Sequence, residues 1–213
     1  MWVFTGMGPQ WWAMGRQLYE TEPVYRKMID RCDEAIKKLA NWSLIKELNA
    51  PEDKSNMAET WLSQPANFAL QLGLAALFRS LGITPDAIVG HSTGEAAAFY
   101  ESGVYSFEDA VKVIVNRSSL QQTVSGTGKM AAVGLPEEQV RPLIKDYGQR
   151  ISIAAVNSPS SVTLAGDELA LIELQRTLEK QGTFCRLLTV QVPFHSAYME
   201  PNPGPPRRGV ADD

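Results

Sequence analysis

Residues 90–94 read Gly-His-Ser-Thr-Gly, a serine with a glycine two positions away on each side. In the pattern G-x-S-x-G the glycines let the chain turn so sharply that the serine hydroxyl projects from the bend. A serine held this way attacks a carbonyl carbon and carries the acyl group covalently, provided a base takes its proton. Small residues also make ordinary turns, so Ser92 has two readings, a nucleophile or part of a structural turn. The chain contains two histidines. His91 adjoins the serine, and its side chain is expected to point elsewhere. His195, in "VPFHSAYM", is then the candidate base, set against a histidine merely satisfied in the core or at the surface. A positioned base contributes about 10²–10⁴ in rate. The developing oxyanion needs donors, each worth about 100- to 1,000-fold. The amide of Thr93 is one candidate. The turn "TGMGPQ" offers a second, since Gly6 and Gly8 let the backbone of Gln10 approach, although two glycines at a strand end also make a plain turn. It lacks the third glycine of a dinucleotide fingerprint.

Arg117 is the other unusual residue. It sits in the apolar stripe Ala110, Val113, Arg117, Leu120, Val124. Such an arginine either snorkels to solvent or is paired in a buried site, where its fork holds a carboxylate in bidentate fashion. Positions 113 and 121 are Val and Gln, so no acidic residue four positions away answers it, and a ligand carboxylate is a candidate partner.

These groups need elements to hold them. "MWVFTGMGPQ" reads as a short strand entering the glycine turn, and Pro9 suits the first turn of a helix over "QWWAMGRQLY". A second helix spans about 22–39. Residues 41–63 are polar and irregular, with at most a short helix. "QPANFALQLGLAALFRSLG" is apolar nearly all round, which predicts a buried helix ending at Gly82. "DAIVG" predicts a short strand central in a parallel sheet. Ser92 follows directly, at the head of a helix that ends near Gly103; the amides and the positive dipole end of that helix then lie beside the serine. Ser106 and Asp109 form a capping box for the next helix, the one that carries Arg117.

From Lys129 the rhythm becomes strand, helix, strand, strand, helix, strand, the order of ferredoxin-like domains. The fold class expected is therefore α/β. A large parallel-sheet domain (1–128 plus 191–200) has a β-α-β-β-α-β small domain (129–190) inserted into it. The last 13 residues, 201–213, hold four prolines and two glycines and are expected to be a disordered tail.

Composition limits the alternatives. The chain has 213 residues, 44% hydrophobic and 21% charged, with a net charge of -4 and no basic stripe, which argues against a nucleic-acid partner. No apolar run is long enough to span a membrane and no signal peptide opens the chain, so a cytoplasmic protein is expected. The two cysteines, Cys32 and Cys185, have no metal-ligand spacing, and no metal is expected. An α/β-hydrolase needs several strands before its serine and an HGGG-like stretch, and a patatin-like lipase needs an Asp-Gly pair; neither feature is present.

Taken together, "VFTGMGPQWWAMGRQL", "QPANFALQ", "PDAIVGHSTGEAAAFY", "NRSSLQQ", "GKMAAVGL", "AAVNSPSSVTLAGD" and "VPFHSAYME" resemble the acyltransferase domain of modular polyketide synthases. More distantly they resemble malonyl-CoA:acyl carrier protein transacylases of fatty acid synthesis. The resemblance covers residues 2 to about 200 and implies an α/β-hydrolase-like large domain. It implies that Ser92 takes an acyl group from an acyl-CoA, with His195 as base. The phosphopantetheine thiol of an acyl carrier protein then accepts it, and no bound cofactor is needed. It also implies that Arg117 binds the carboxylate of a malonyl-type unit, that Gln10 and Thr93 form the oxyanion hole, and that His91 lines the pocket. Asn157 matches a position near the site, although its own context indicates only a turn. Phe194, before the histidine, implies malonyl over methylmalonyl. A neighbouring ketosynthase is an implied partner. Because the match ends near Glu200, the chain is expected to be truncated, which leaves open a non-catalytic remnant that only binds a carrier protein, and a serine hydrolase or thioesterase remains a further alternative.

Overall fold

The computed structural model describes residues 1–8 and 10–199. Pro9 and the tail expected at 201–213 lie outside the described residues. The chain divides into two compact units, Met1–Gln122 and a second from Thr123 onward. The segment from Gln191 to Met199, expected with the large domain, groups with the second unit.

In the first unit, β1 (Trp2–Phe4) pairs in parallel with β2 (Ile88–Gly90), Val3 opposite Val89. Around them stand α1 (Arg16–Thr21), α2 (Pro23–Leu39), α3 (Leu44–Leu48), α4 (Thr60–Ser80), α5 (Glu95–Glu101) and α6 (Phe107–Gln122). The helix expected over "QWWAMGRQLY" begins late, at Arg16, because Gly15 takes a left-handed φ of 77° that no helix continues through. The Tyr25 hydroxyl would also lie 2.2 Å from any Cβ at that position. The buried helix starts four residues earlier than its apolar run suggests. A hydrogen bond from the Trp61 N–H to Gln122 Oε1, 3.1 Å, satisfies one of its first amides. Helix α4 packs against both α2 and α6, and Tyr25, Ile29, Ile36, Leu62, Phe68, Leu72 and Ile114 fill the core between them. Ser106 caps α6: the Asp109 N–H donates to Ser106 Oγ at 3.0 Å, and that hydroxyl donates in turn to Asp109 Oδ2 at 2.6 Å.

Strand β2 was expected to be central. Among the described residues it pairs with β1 alone, and Val3 and Val89 are about half exposed, at 57% and 49%. Its all-apolar run suits cover on both faces, and the described residues leave the Val3 and Val89 face open.

In the second unit, β3 (Lys129–Val133), β4 (Ile151–Ser158), β5 (Ser161–Gly166) and β6 (Cys185–Leu187) form one antiparallel sheet in the order β4-β5-β3-β6. Helices α7 (Glu137–Ile144) and α8 (Glu168–Lys180) connect them, so the elements follow in the order β-α-β-β-α-β. Ala131 lies opposite Leu164 on one side and Leu187 on the other. These residues face a core with Val140, Leu171, Leu174 and Leu178. Strand β6 is short, although the apolar run "TFCRLLTVQV" over 183–192 reads as one longer strand. The last bond to β3 runs from the Leu188 N–H to Met130 O at 2.8 Å, and beyond it Val192 and Phe194 fold onto Met130 and Ala165. Those two alternate with Ala131 and Leu164 and so lie on the opposite face of the sheet. Among the described residues no helix is long and apolar enough to cross a membrane.

Candidate active site

Strand β2 delivers the chain to the Gly-His-Ser-Thr-Gly turn, and α5 leaves from it. Ser92 has φ 52°, in the left-handed region. For a non-glycine residue that conformation costs about 1–2 kcal/mol, and close packing on either side holds it in place. A Cβ on Gly90 would lie 2.6 Å from Glu95 Cα, and one on Gly94 would lie 2.2 Å from the Phe4 carbonyl oxygen. Both glycines are therefore needed for approach of backbone to backbone. The turn is tied to β1 by the His91 N–H, which donates to Phe4 O at 2.9 Å, and is closed by Gly94 N–H to His91 O at 3.0 Å. Thr93 is buried, whereas His91 is exposed.

The glycine turn after β1 packs on this bend. Its nearest residue is Gly6, where a Cβ would lie 3.1 Å from His91 Nδ1 and 3.4 Å from Ser92 Cβ. The Gln10 side chain turns back on its own loop, its Oε1 accepting from the Gly8 N–H at 2.7 Å. Two buried amides of α4 fix the turn's carbonyls: Asn67 Nδ2 donates to Gly6 O at 3.2 Å, and Gln71 Nε2 to Thr5 O at 2.8 Å.

Arg117 reaches the same bend from α6. Its Nη1 donates to Thr93 Oγ1 at 3.1 Å and to Gln64 Oε1 at 2.5 Å. Gln64 is fully buried and passes the chain on, its Nε2 donating to Gln121 Oε1 at 2.6 Å. Among the described residues the five ion pairs formed leave Arg117 out. Burial pulls its pKa below the ordinary arginine value, and the charge of Glu95 acts in the opposite direction. An arginine stays protonated even so. The sequence left snorkelling and a buried partnership open; the structure shows a half-buried guanidinium held by neutral oxygens.

The remaining site residues belong to the second unit. His195 has φ 58°, and among the described residues it and Ser92 are the two non-glycine residues with positive φ. Its turn is pinned by Phe194 N–H to Val192 O at 2.9 Å and by Ser196 Oγ to Pro193 O at 2.6 Å. Phe194 is buried against Met130, Ala165 and Val192. Asn157 lies near the end of β4, its Nδ2 donating across the ladder to Thr163 Oγ1 at 2.8 Å.

Sequence reasoning overlooked the amides of α4. Gln64, Asn67 and Gln71 are spaced i, i+3, i+7, which places them on one helical face. A polar stripe inside an otherwise apolar helix was the available signal.

The family model for the acyl transferase domain matches residues 1–208, eight residues beyond the expected end of the match near Glu200. The hybrid PKS-NRPS synthetase pyvA of Aspergillus violaceofuscus is 44% identical over 93% of this chain, which spans 6% of that protein's length. The squalestatin tetraketide synthase of a Phoma species is 41% identical over 93% of the chain, here 8% of the relative. Among solved structures, the acyltransferase domain from module 8 of the salinomycin polyketide synthase superposes with a TM-score of 0.85 at 34% identity, covering 91% of this chain and 46% of that one. The Synechocystis malonyl-CoA:ACP transacylase gives 0.77 at 28% identity, covering 93% and 64%.

Proposed function

Because this chain belongs to the acyl transferase domain family, we propose that it transfers a malonyl-type unit from CoA to the phosphopantetheine thiol of an acyl carrier protein, in polyketide or fatty acid assembly. The observation that carries this reading is a half-buried guanidinium, unpaired with any carboxylate among the described residues, hydrogen-bonded to the residue that follows a strained serine. A serine hydrolase has no evident use for that cation. A malonyl thioester presents its reacting carbonyl and a free carboxylate two bonds apart.

In this mechanism Ser92 Oγ attacks the thioester carbonyl while its proton passes to His195. The backbone amides of Thr93 and Gln10 hold the oxyanion. The carbon–sulfur bond breaks, CoA takes the proton and leaves as the thiol, and malonyl-Ser92 remains. The carrier's thiol then attacks this ester, gives its proton to His195, and the proton returns to Ser92 as the serine is released. Arg117 holds the malonyl carboxylate through both halves. His91 lines the acyl pocket, with Asn157 near it. The Phe194 ring disfavours an α-methyl group, which makes malonyl the preferred unit over methylmalonyl. The domain reading that accompanies this mechanism is an α/β-hydrolase-like large domain, 1–128 plus 191–200, with a ferredoxin-like insertion at 129–190. The strand order β4-β5-β3-β6 supports the second part. The partners are a carrier protein and a neighbouring ketosynthase, a reading supported by relatives named as polyketide synthases. The protein works in the cytoplasm.

The test is Arg117→Ala. A hydrogen-bonded charge pair is worth about 1.5–3 kcal/mol, so acylation by malonyl-CoA should fall by roughly 10- to 150-fold while acylation by acetyl-CoA is spared. Equal losses with both thioesters would overturn the carboxylate reading.

A further inference from the structure

The guanidinium of Arg117 is unevenly satisfied. Both of its hydrogen bonds within the described residues leave from Nη1, to Thr93 Oγ1 and Gln64 Oε1. A guanidinium has five N–H groups and no acceptor, so Nε and Nη2 retain the pair of parallel donors that matches a carboxylate. The partners on Nη1 are themselves fixed. An arginine only donates, so Gln64 must turn its oxygen toward Arg117, which directs its Nε2 at Gln121 Oε1, 2.6 Å away. Gln121 lies one turn along α6 from Arg117, and its neighbour Gln122 ties α6 to the start of α4 through Trp61 N–H and Glu59 Oε2. Thr93 supplies the second anchor from the bend itself.

We propose that Thr93 Oγ1, Gln64 and Gln121 form a positioning clamp that fixes one arm of Arg117 with neutral oxygens and presents its other edge to an acyl carboxylate. The neutrality of the clamp matters. A carboxylate at position 64 would neutralise the guanidinium and compete with the ligand, whereas an amide holds its geometry and leaves its charge uncancelled. Position 93 would then have two tasks, its amide at the oxyanion and its hydroxyl at the arginine, which sets the distance between the reacting carbonyl and the carboxylate. The three are positioning residues. The inference rests on the malonyl reading above and specifies which residues make the carboxylate selection.

The test separates the two. In the full chain carrying Ser92→Ala the thioester stays intact, and calorimetric titration reads affinity for malonyl-CoA and acetyl-CoA without turnover. Adding Gln121→Met should weaken malonyl-CoA about tenfold and leave acetyl-CoA unchanged, because the support of one charge-assisted hydrogen bond is lost; adding Thr93→Val, which removes that bond itself, should weaken malonyl-CoA about tenfold more than it weakens acetyl-CoA. Thr93→Ser, which keeps the hydroxyl, should restore malonyl-CoA affinity. Undiminished malonyl-CoA binding in both variants, or equal losses for the two thioesters, would overturn the clamp. If the Ser92→Ala chain itself fails to prefer malonyl-CoA, the carboxylate role of Arg117 is wrong and the clamp falls with it.

Discussion

At the scale of single residues, the backbone at position 92 sets stability against reactivity. Serine in the left-handed region costs about 1–2 kcal/mol, and glycine there avoids that cost but loses about 0.5–1 kcal/mol to its freer unfolded chain. The difference favours glycine, so Ser92→Gly should stabilise the protein by about 0.5–1 kcal/mol in urea unfolding while removing the nucleophile. A destabilised variant would mean that the hydroxyl's own contacts outweigh the strain. The bend was legible in the sequence because close approach leaves a mark: Gly90 and Gly94 stand where any side chain meets backbone. The partner of Arg117 was not legible, since helical spacing tests only positions one turn away on α6. The oxygens that hold it come from positions 64 and 93, distant in sequence.

At the scale of elements, start and stop signals explain most of what could be read and what could not. The Ser106 cap was visible because it is local. Helix α1 was misjudged because the run "QWWAMGRQLY" looks helical, while the break at Gly15 answers to Tyr25, a residue of the next helix. The joint between α2 and α3 shows a further non-local cap. Asp33, buried on α2, accepts from Ser43 Oγ at 2.7 Å and from the Ile45 N–H at 3.2 Å, and pairs with Lys37. Burial raises its pKa, but hydrogen bonds from Lys37, Ser43 and the Ile45 amide more than offset this and bring it below the ordinary aspartate value. A carboxyl whose folded pKa lies below its unfolded value of about 3.9 stabilises the fold above that pH, and the contribution is lost as pH falls through the folded value. Asp33→Asn should therefore cost about 1–2 kcal/mol at pH 7, with the gap from the unaltered protein narrowing below about pH 4. Urea unfolding at pH 7 and pH 3 measures it; a gap independent of pH would show that shape rather than charge matters at this joint.

At the scale of the whole molecule, the described residues of the first unit have a core between helices, and those of the second have one under each face of a four-stranded sheet. The order of elements in the second unit followed from alternating runs and turn residues, because antiparallel strands joined by short connections leave local signals. The pairing of β1 with β2, eighty-odd positions apart, leaves none. Ser92 lies in the first unit and His195 in the second, and the proposed chemistry requires both, so the decisive measurement uses the intact chain. Mass spectrometry after exposure to malonyl-CoA, with peptide mapping, should locate a malonyl ester on Ser92. His195→Ala should slow its formation by about 10²–10⁴. An adduct on another residue, or an intact chain that stays unmodified, would contradict the acyl-serine mechanism.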